Sequence, residues 1–245
     1  MTGPAAVVGA LAASAVLAGC ATTQQEAARL QLNSARIRAS QVVTRVTVPG
    51  HTVEVTRLAL VRSGDGTAFV VAVHNPAGRS VSDLPISVGV QAGRRRIYVN
   101  AQPGTSEYSY FGAHLPVVAS RSSVTWVYTT NRRLPRAARP FALVGDEPNP
   151  PVPSVAGLPV IRATVARGTP ARRGRLAIAL RNLSGVPQYQ LQVYAVAQTA
   201  GRYTAAGDFT VVHLGSQGSM TLDLGLLGTL GHSQLALEAL PTIPQ

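Results

Sequence analysis

The chain contains no lysine, and it has a single cysteine, a single tryptophan and few acidic residues. Its 22 basic residues are therefore all arginines, against 10 Asp and Glu, and the formal net charge is +12. Such a charge favours anionic partners, although the arginine-rich codon usage of a GC-rich genome explains the same composition. The arginines are scattered along the chain and not set along one helix, so no nucleic-acid-binding motif is indicated.

The sequence also lacks the motifs of catalysis and metal binding. The five histidines lie far apart without metal-ligand spacing, and no pair of carboxylates has the spacing of a glycosidase. Neither Gly-x-Ser-x-Gly nor a phosphate-binding glycine loop occurs. We therefore expect no enzyme activity, no metal and no cofactor. A cryptic hydrolase, whose residues only the fold would gather, is the third of three functional hypotheses.

An apolar segment near the N-terminus ends at Leu17-Ala18-Gly19-Cys20. A segment of this length that ends in small residues is typical of a secretory signal and not of a spanning helix, which needs about 20 apolar residues. A signal peptide would carry positive charge before its apolar segment, but none precedes this one. The residues Leu-Ala-Gly-Cys resemble the lipobox of bacterial lipoproteins.

That resemblance implies that residues 1–19 are a signal peptide and that Cys20 carries a diacylglyceryl group on its sulfur. The amino group of Cys20 would also carry an acyl chain, such as palmitate. Several acyl chains on one residue give stable membrane anchoring. The alternative is an ordinary apolar helix with Cys20 as a buried thiol. A lone cysteine in an exported protein cannot form an internal disulfide, which favours the lipid interpretation. Ala21 is not Asp, so either the cell membrane or an outer membrane is allowed.

Residues 20–48 predict a tether with a short helix, because Thr23 and Glu26 have the spacing of a capping box. From residue 49 the apolar residues follow period two, and 17 prolines and 23 glycines supply turns. The proline-dense residues 146–157 predict a semi-rigid linker. It separates two predicted domains, residues 49–145 and residues 158–245.

The two halves show similar patterns. Five pairs of segments align, among them Ala68–Asn75 with Arg175–Asn182, Leu84–Val90 with Tyr189–Val196, and Ser123–Trp126 with Ser219–Leu222. Modules of this kind resemble the immunoglobulin-like or fibronectin-III-like modules of bacterial lipoproteins. We predict an all-β chain with two tandem β-sandwich (Ig-like) domains, preceded by the signal peptide and a short N-terminal helix. Two unrelated β domains that share alternation are the alternative.

A stretch rich in aromatic residues in the first domain is the candidate binding surface. It comprises Tyr108, Tyr110, Phe111 and His114, with Arg94, Arg95 and Arg96 expected nearby. Tyrosine is favoured at contact surfaces because it buries a large area at a small entropy cost. The alternative is that these rings pack a loop or the core.

The predicted function is that of a non-catalytic cell-envelope lipoprotein, held on the extracytoplasmic face of the membrane through Cys20. It would act as a scaffold or adaptor that presents its β-sandwich modules to an envelope protein. The alternative function is the binding of anionic cell-wall polymer or lipid head groups through arginines. An exported protein is not expected to bind nucleic acid.

Overall fold

The computed structural model describes residues 45–100, 110–147, 158–166 and 174–242, together with Glu26, Leu30 and Asn33. Those three residues have helical backbone and are exposed. The rest of the predicted tether helix, the signal peptide, Cys20, Tyr108 and linker residues 148–157 lie outside the described residues. Among the described residues, no helix is long and apolar enough to span a bilayer.

Apart from those three residues and the 3-10 turn Phe111–Ala113, the regular structure of the described chain is all β-strand, which confirms the predicted fold class. Seven strands belong to the first domain: β1 Glu54–Arg62, β2 Thr67–His74, β3 Val81–Ala92, β4 Arg95–Tyr98, β5 His114–Val118, β6 Ser123–Thr130 and β7 Arg139–Val144. They form two antiparallel sheets. One has the order β1-β2-β6, and in the other β3 pairs with β4, β5 and β7.

Seven more strands belong to the second domain: β8 Ile161–Val165, β9 Arg175–Asn182, β10 Gln188–Thr199, β11 Arg202–Leu214, β12 Ser219–Gly225, β13 Leu227–Gly228 and β14 Gln234–Leu240. The order β8-β9-β12 repeats β1-β2-β6, and β13-β11-β10-β14 forms the other sheet. In both domains the long third strand pairs with the last one, as β3 with β7 and as β10 with β14.

The strand registers of the two domains agree in detail. His74 of β2 lies opposite Ser123 of β6, and Arg181 of β9 lies opposite Ser219 of β12. A positive φ recurs at the third position of the long strand, at Asp83 (58°) in β3 and at Gln190 (53°) in β10. Positive φ is uncommon for residues other than glycine, so its recurrence marks the two domains as repeats of one arrangement.

A buried asparagine anchors the same corner of each domain. Asn75 Nδ2 donates to three carbonyl oxygens, those of Arg79 (2.8 Å), Val118 (3.2 Å) and Ala119 (3.1 Å). Asn182 Nδ2 donates to two, those of Val186 (2.8 Å) and Gly215 (3.0 Å). Each Oδ1 accepts an N–H from the residue two positions later. Because buried amides need their partners, each asparagine fixes the turn that leads into the long strand.

The two domains pack directly against each other. The alternating residues of β10 divide between two cores, and Leu191, Val193 and Ala195 face the second domain's own core. Tyr194 and Val196 on the opposite face join the core of the first domain instead. The sheet β13-β11-β10-β14 is therefore covered on both faces, and the first domain's core extends into the second.

The first two residues of the predicted linker belong to the first domain. Asp146 Oδ1 accepts hydrogen bonds from the main-chain N–H of His51 (2.6 Å) and from the hydroxyl of Thr52 (2.9 Å). Glu147 forms an ion pair with Arg79. These contacts fasten the end of β7 to the start of β1, so the chain leaves the domain only after Glu147.

Candidate functional site

The predicted aromatic surface packs inward. Tyr110 is 3% exposed and Phe111 is 9% exposed. The Tyr110 ring stacks on His114 with 3.9 Å between ring centroids and meets Phe111 edge-on at 5.4 Å. The Tyr110 hydroxyl donates to the Asp83 carboxylate. These contacts make the cluster a packing element, and the prediction of an exposed surface at Tyr110 and Phe111 is corrected.

An insertion explains why these rings are buried. β4 and β5 pair with Gly89–Ala92 and Val81–Pro85 of β3, positions equivalent to those that the unbroken β11 covers in the second domain. Asn100 closes the break: its Oδ1 accepts the N–H of Val88 (2.8 Å), and its Nδ2 donates to the carbonyl of Gly112 (2.9 Å). The aromatic side chains pack where the interrupted strand re-enters the sheet.

Arg94, Arg95 and Arg96 are exposed at the turn between β3 and β4, away from that cluster. The Arg96 guanidinium lies 5.5 Å from the centroid of Phe141 and donates to the carbonyl of Thr47 (3.3 Å). The predicted association of these arginines with the aromatic cluster is therefore absent from the described residues. They belong to a different group.

That group is an accumulation of arginines at one end of the first domain. Antiparallel strands that follow one another connect at alternating ends, so the β1–β2, β3–β4 and β6–β7 connections lie at the same end. The arginines at these connections are Arg62, Arg94, Arg95, Arg96, Arg132, Arg133, Arg136 and Arg139. We call this group the arginine end. The arginines are scattered in sequence, but the topology gathers them.

Two carboxylates lie in the contact between the domains. Asp208 and Glu238 flank Tyr194, since Tyr194 lies opposite Asp208 in one strand pair and opposite Glu238 in the other. The main-chain N–H of Thr129 donates to Asp208 Oδ1 (3.1 Å), and that of Thr125 donates to Glu238 Oε2 (2.8 Å). Since β6 is an outer strand, these carboxylates occupy donor groups of a sheet edge.

Burial raises the pKa of both carboxyl groups, and the hydrogen bonds from Thr129 and Thr125 oppose that rise. Burial also raises the pKa of Tyr194, to which the charges of Asp208 and Glu238 add. The Tyr194 hydroxyl is buried without a hydrogen-bond partner among the described residues. Asp208 also lines an open cleft of about 610 Å³ between the domains, and the charged side chains there besides Asp208 are those of Asp65 and Arg175.

Most of β11 has an open edge, because its outer neighbour β13 is only two residues long. Within the described part of the chain, only Ala205 and Ala206 of β11 have strand partners on the side away from β10, and these partners are in β13. The segment Phe209–Leu214 contains no Asp, Glu, Lys or Arg. Phe209 is 39% exposed and Val212 is 69% exposed. Edges of this kind are normally blocked by charges or proline.

The first domain shows that normal protection. Its β5 is equivalent to the second half of β11 and has Pro116 where β11 has Val212. Pro116 lies between the residues that pair with Leu84 and Ser82 of β3, and Val212 lies between those that pair with the equivalent Leu191 and Tyr189 of β10. Proline lacks the N–H that an added strand would need. The sequence alone does not predict the exposed edge, because an open strand edge can be recognised only once the strand order is known. The one local signal for it is the uncharged run Phe209–Val212.

No chemistry-bearing cluster emerges elsewhere. Over residues 45–100, 110–147, 158–166 and 174–242, no three His, Cys, Asp or Glu side chains are grouped so as to hold a metal ion. Asp208 and Glu238, which flank Tyr194, both accept hydrogen bonds from main-chain N–H groups.

No protein-family model matches the chain, and no curated protein is significantly similar to it. Among solved structures it is similar to the C-terminal globular domain of the oligosaccharyltransferase from Pyrococcus abyssi, with 9% identity and a TM-score of 0.25, over 78% of this chain and 48% of that chain. It is also similar to red sea bream transglutaminase, with 12% identity and a TM-score of 0.20, over 82% of this chain and 32% of that chain. The chain thus spans about half or less of these two proteins.

Proposed function

We propose that this protein is a non-catalytic, lipid-anchored adaptor of the bacterial cell envelope, which docks an extended segment of another envelope protein on the open edge of β11. Cys20 would carry the lipid on the extracytoplasmic face of the membrane. The tether, residues 21–44, would hold the two β-sandwich domains near that membrane. The observation that carries the proposal is the unblocked edge Phe209–Leu214.

The chemistry of the edge specifies the occupant. Unpaired main-chain N–H and C=O groups are satisfied by a strand that adds to the sheet, and the adjacent side-chain positions give such a contact its specificity. The exposed side chains of Phe209 and Val212 would contact apolar side chains of the added strand. The partner is therefore an extended, largely uncharged segment with alternating apolar residues.

Several features support a binding role over a catalytic one. The fold places Asp208 and Glu238 as acceptors for the edge of β6, whereas a hydrolase would need them free to act on a substrate. Tyr110 and Phe111 of the predicted aromatic surface are packed inside the first domain. The adaptor surface consequently moves from the first domain, where the sequence placed it, to the second.

Site-specific photo-crosslinking in the intact, membrane-held protein tests the proposal. A photoreactive residue at position 212 should give an adduct with one envelope protein, identified by mass spectrometry. The matched control is position 165, since Val165 is 44% exposed but lies on β8 in the other sheet.

The second arm separates strand addition from simple proximity. Val212→Pro removes one N–H from the edge, as Pro116 does in the first domain, and should abolish an adduct formed from position 209. Equal adducts at positions 212 and 165, or an adduct from position 209 that survives Val212→Pro, would contradict the proposal. Circular dichroism of the Val212→Pro protein checks that the sandwich still folds.

A further inference from the structure

The arginine end concentrates the charge of the first domain. It holds eight of the twelve described arginines of that domain but only one of its five described acidic residues, Asp65. Outside it, four arginines and four acidic residues remain: Arg45, Arg57, Arg79, Arg121, Glu54, Asp83, Asp146 and Glu147. The rest of the described domain is therefore electrically balanced, and its excess positive charge lies at one end.

A cleft at this end gives the charge a shape. Arg62, Arg132, Arg133 and Arg136 line a cleft of about 680 Å³ that has no acidic lining residue. Arg62 is used internally, because its guanidinium donates to the carbonyls of Leu134 and Pro135, both at 3.2 Å. Those two bonds fix the loop between β6 and β7.

The other three arginines of the cleft are exposed. No ion pair joins them to an acidic residue within the part of the chain that the structure describes. Exposed guanidinium groups suit phosphate oxygens, which they bind with two parallel N–H donors.

The chain enters the first domain from the same direction. Gly50 N–H donates to the carbonyl of Val144 (2.8 Å), which lies opposite Ile86 in the middle of β3. Val46 N–H donates to Ser87 Oγ (2.9 Å), and the Arg45 guanidinium lies 4.6 Å from the ring of Tyr98, which pairs with Gly89. Going back from residue 50 to residue 45, the chain thus runs along β3 toward the arginine end.

We infer that the arginine end binds the phosphate-bearing head groups of the anionic membrane to which Cys20 is anchored. This inference rests on the lipid anchoring proposed above. Residues 21–44 would span about 36 Å as a helix and at most about 86 Å when extended, so the tether limits the distance between this end and the bilayer. Acyl chains combined with a basic patch give firmer and better-oriented membrane binding than either alone.

Vesicle co-sedimentation of the mature chain, residues 20–245 with Cys20→Ser, tests the inference without any lipid on the protein. All of the described strands lie within residues 54–240, so this chain retains every one of them. We expect binding to phosphatidylglycerol vesicles at about 50 mM salt and at least a tenfold loss at about 500 mM, because counterion screening weakens phosphate contacts. Neutral phosphatidylcholine vesicles should not bind.

Two charge-matched triple variants locate the site. Arg132→Glu, Arg133→Glu and Arg136→Glu together should reduce binding at least tenfold. The control triple has the same charge change at exposed arginines of the second domain, Arg162→Glu, Arg181→Glu and Arg202→Glu, and should bind within about twofold of the parent chain. If the first triple fails to fold by circular dichroism, the three Arg→Gln changes replace it.

Three outcomes would overturn the inference: no binding of the parent chain to anionic vesicles, equal losses in the two triples, or binding to purified cell-wall sacculi but not to vesicles. The last would make a wall polymer the partner. None of these outcomes bears on the lipid at Cys20, which this chain lacks, or on the β11 edge. Failure of this inference is thus distinguishable from failure of the proposed function.

Discussion

The contact between the two domains depends on the carboxyl groups of Asp208 and Glu238, and replacing them by amides tests that dependence. Asp208→Asn and Glu238→Gln keep an acceptor oxygen for the N–H groups of Thr129 and Thr125 but remove the charge. At neutral pH the double variant should keep its free energy of unfolding to within about 1 kcal/mol. Its stability should depend less on pH than that of the wild-type protein.

The direction of the pH effect follows from the raised pKa values. Burial raises the pKa of both carboxyl groups above their ordinary value of about 4. The folded protein therefore binds more protons than the unfolded chain, so their contribution to stability is complete below the ordinary value and is lost as the pH rises through the raised values. Asp146 has the opposite sign: the His51 N–H, then Thr52, lower its pKa, and its contribution is lost as the pH falls below its ordinary value.

Loss of the acceptor should cost more than loss of the charge. Asp208→Ala leaves the main-chain N–H of Thr129 without its partner, at about 2 kcal/mol, or about 4–8 °C in Tm for a protein of this size. Thermal unfolding followed by circular dichroism between about pH 4 and 7 measures both effects. A double amide variant that keeps the wild-type pH slope, or an Asp208→Ala protein as stable as Asp208→Asn, would refute this reasoning.

Four further substitutions probe the packing, each read out by thermal unfolding. Asn75→Ala and Asn182→Ala should each lower the unfolding free energy by about 2–4 kcal/mol, because several buried groups lose their partners, and a mild effect at either would separate the two corners. Tyr110→Ala should cost about 3–5 kcal/mol if its ring is packed as described, whereas an exposed ring would cost almost nothing. Gly89→Val should cost at least about 1–3 kcal/mol, since a Cβ there would lie 2.1 Å from the Ile97 carbonyl; Gly64→Ala, with no neighbour within 4 Å, is its control.

The fold class could be predicted because period-two alternation and closely spaced turns are local signals. The alignment of the two halves was correct where a polar residue fixed it, as for Asn75 with Asn182. For the long strand the predicted alignment starts two residues out. It matches Leu84 with Tyr189, whereas the structure makes Asp83 equivalent to Gln190 and therefore Leu84 equivalent to Leu191. An alternating pattern matches itself at every even shift, so hydrophobicity alone could not find that register.

The candidate surfaces depend on topology, which local patterns do not contain. The eight arginines of the arginine end meet only because three connections lie at one end of a sandwich. The edge of β11 is open because β13 pairs with only two of its residues. The aromatic stretch misled for a related reason: its rings lie where an interrupted strand re-enters the sheet, and sequence composition does not distinguish packed rings from exposed ones.

The mass of the mature protein tests the proposed membrane anchoring most directly. The protein would be extracted with detergent from the membranes of the cells that make it, and its N-terminal peptide would be analysed by mass spectrometry. We predict a chain that begins at Cys20 and carries a diacylglyceryl group, with Cys20→Ser releasing the protein from the membrane. An N-terminal peptide that still contains residues 1–19, or an unmodified Cys20 thiol, would contradict the proposed lipid-anchored adaptor.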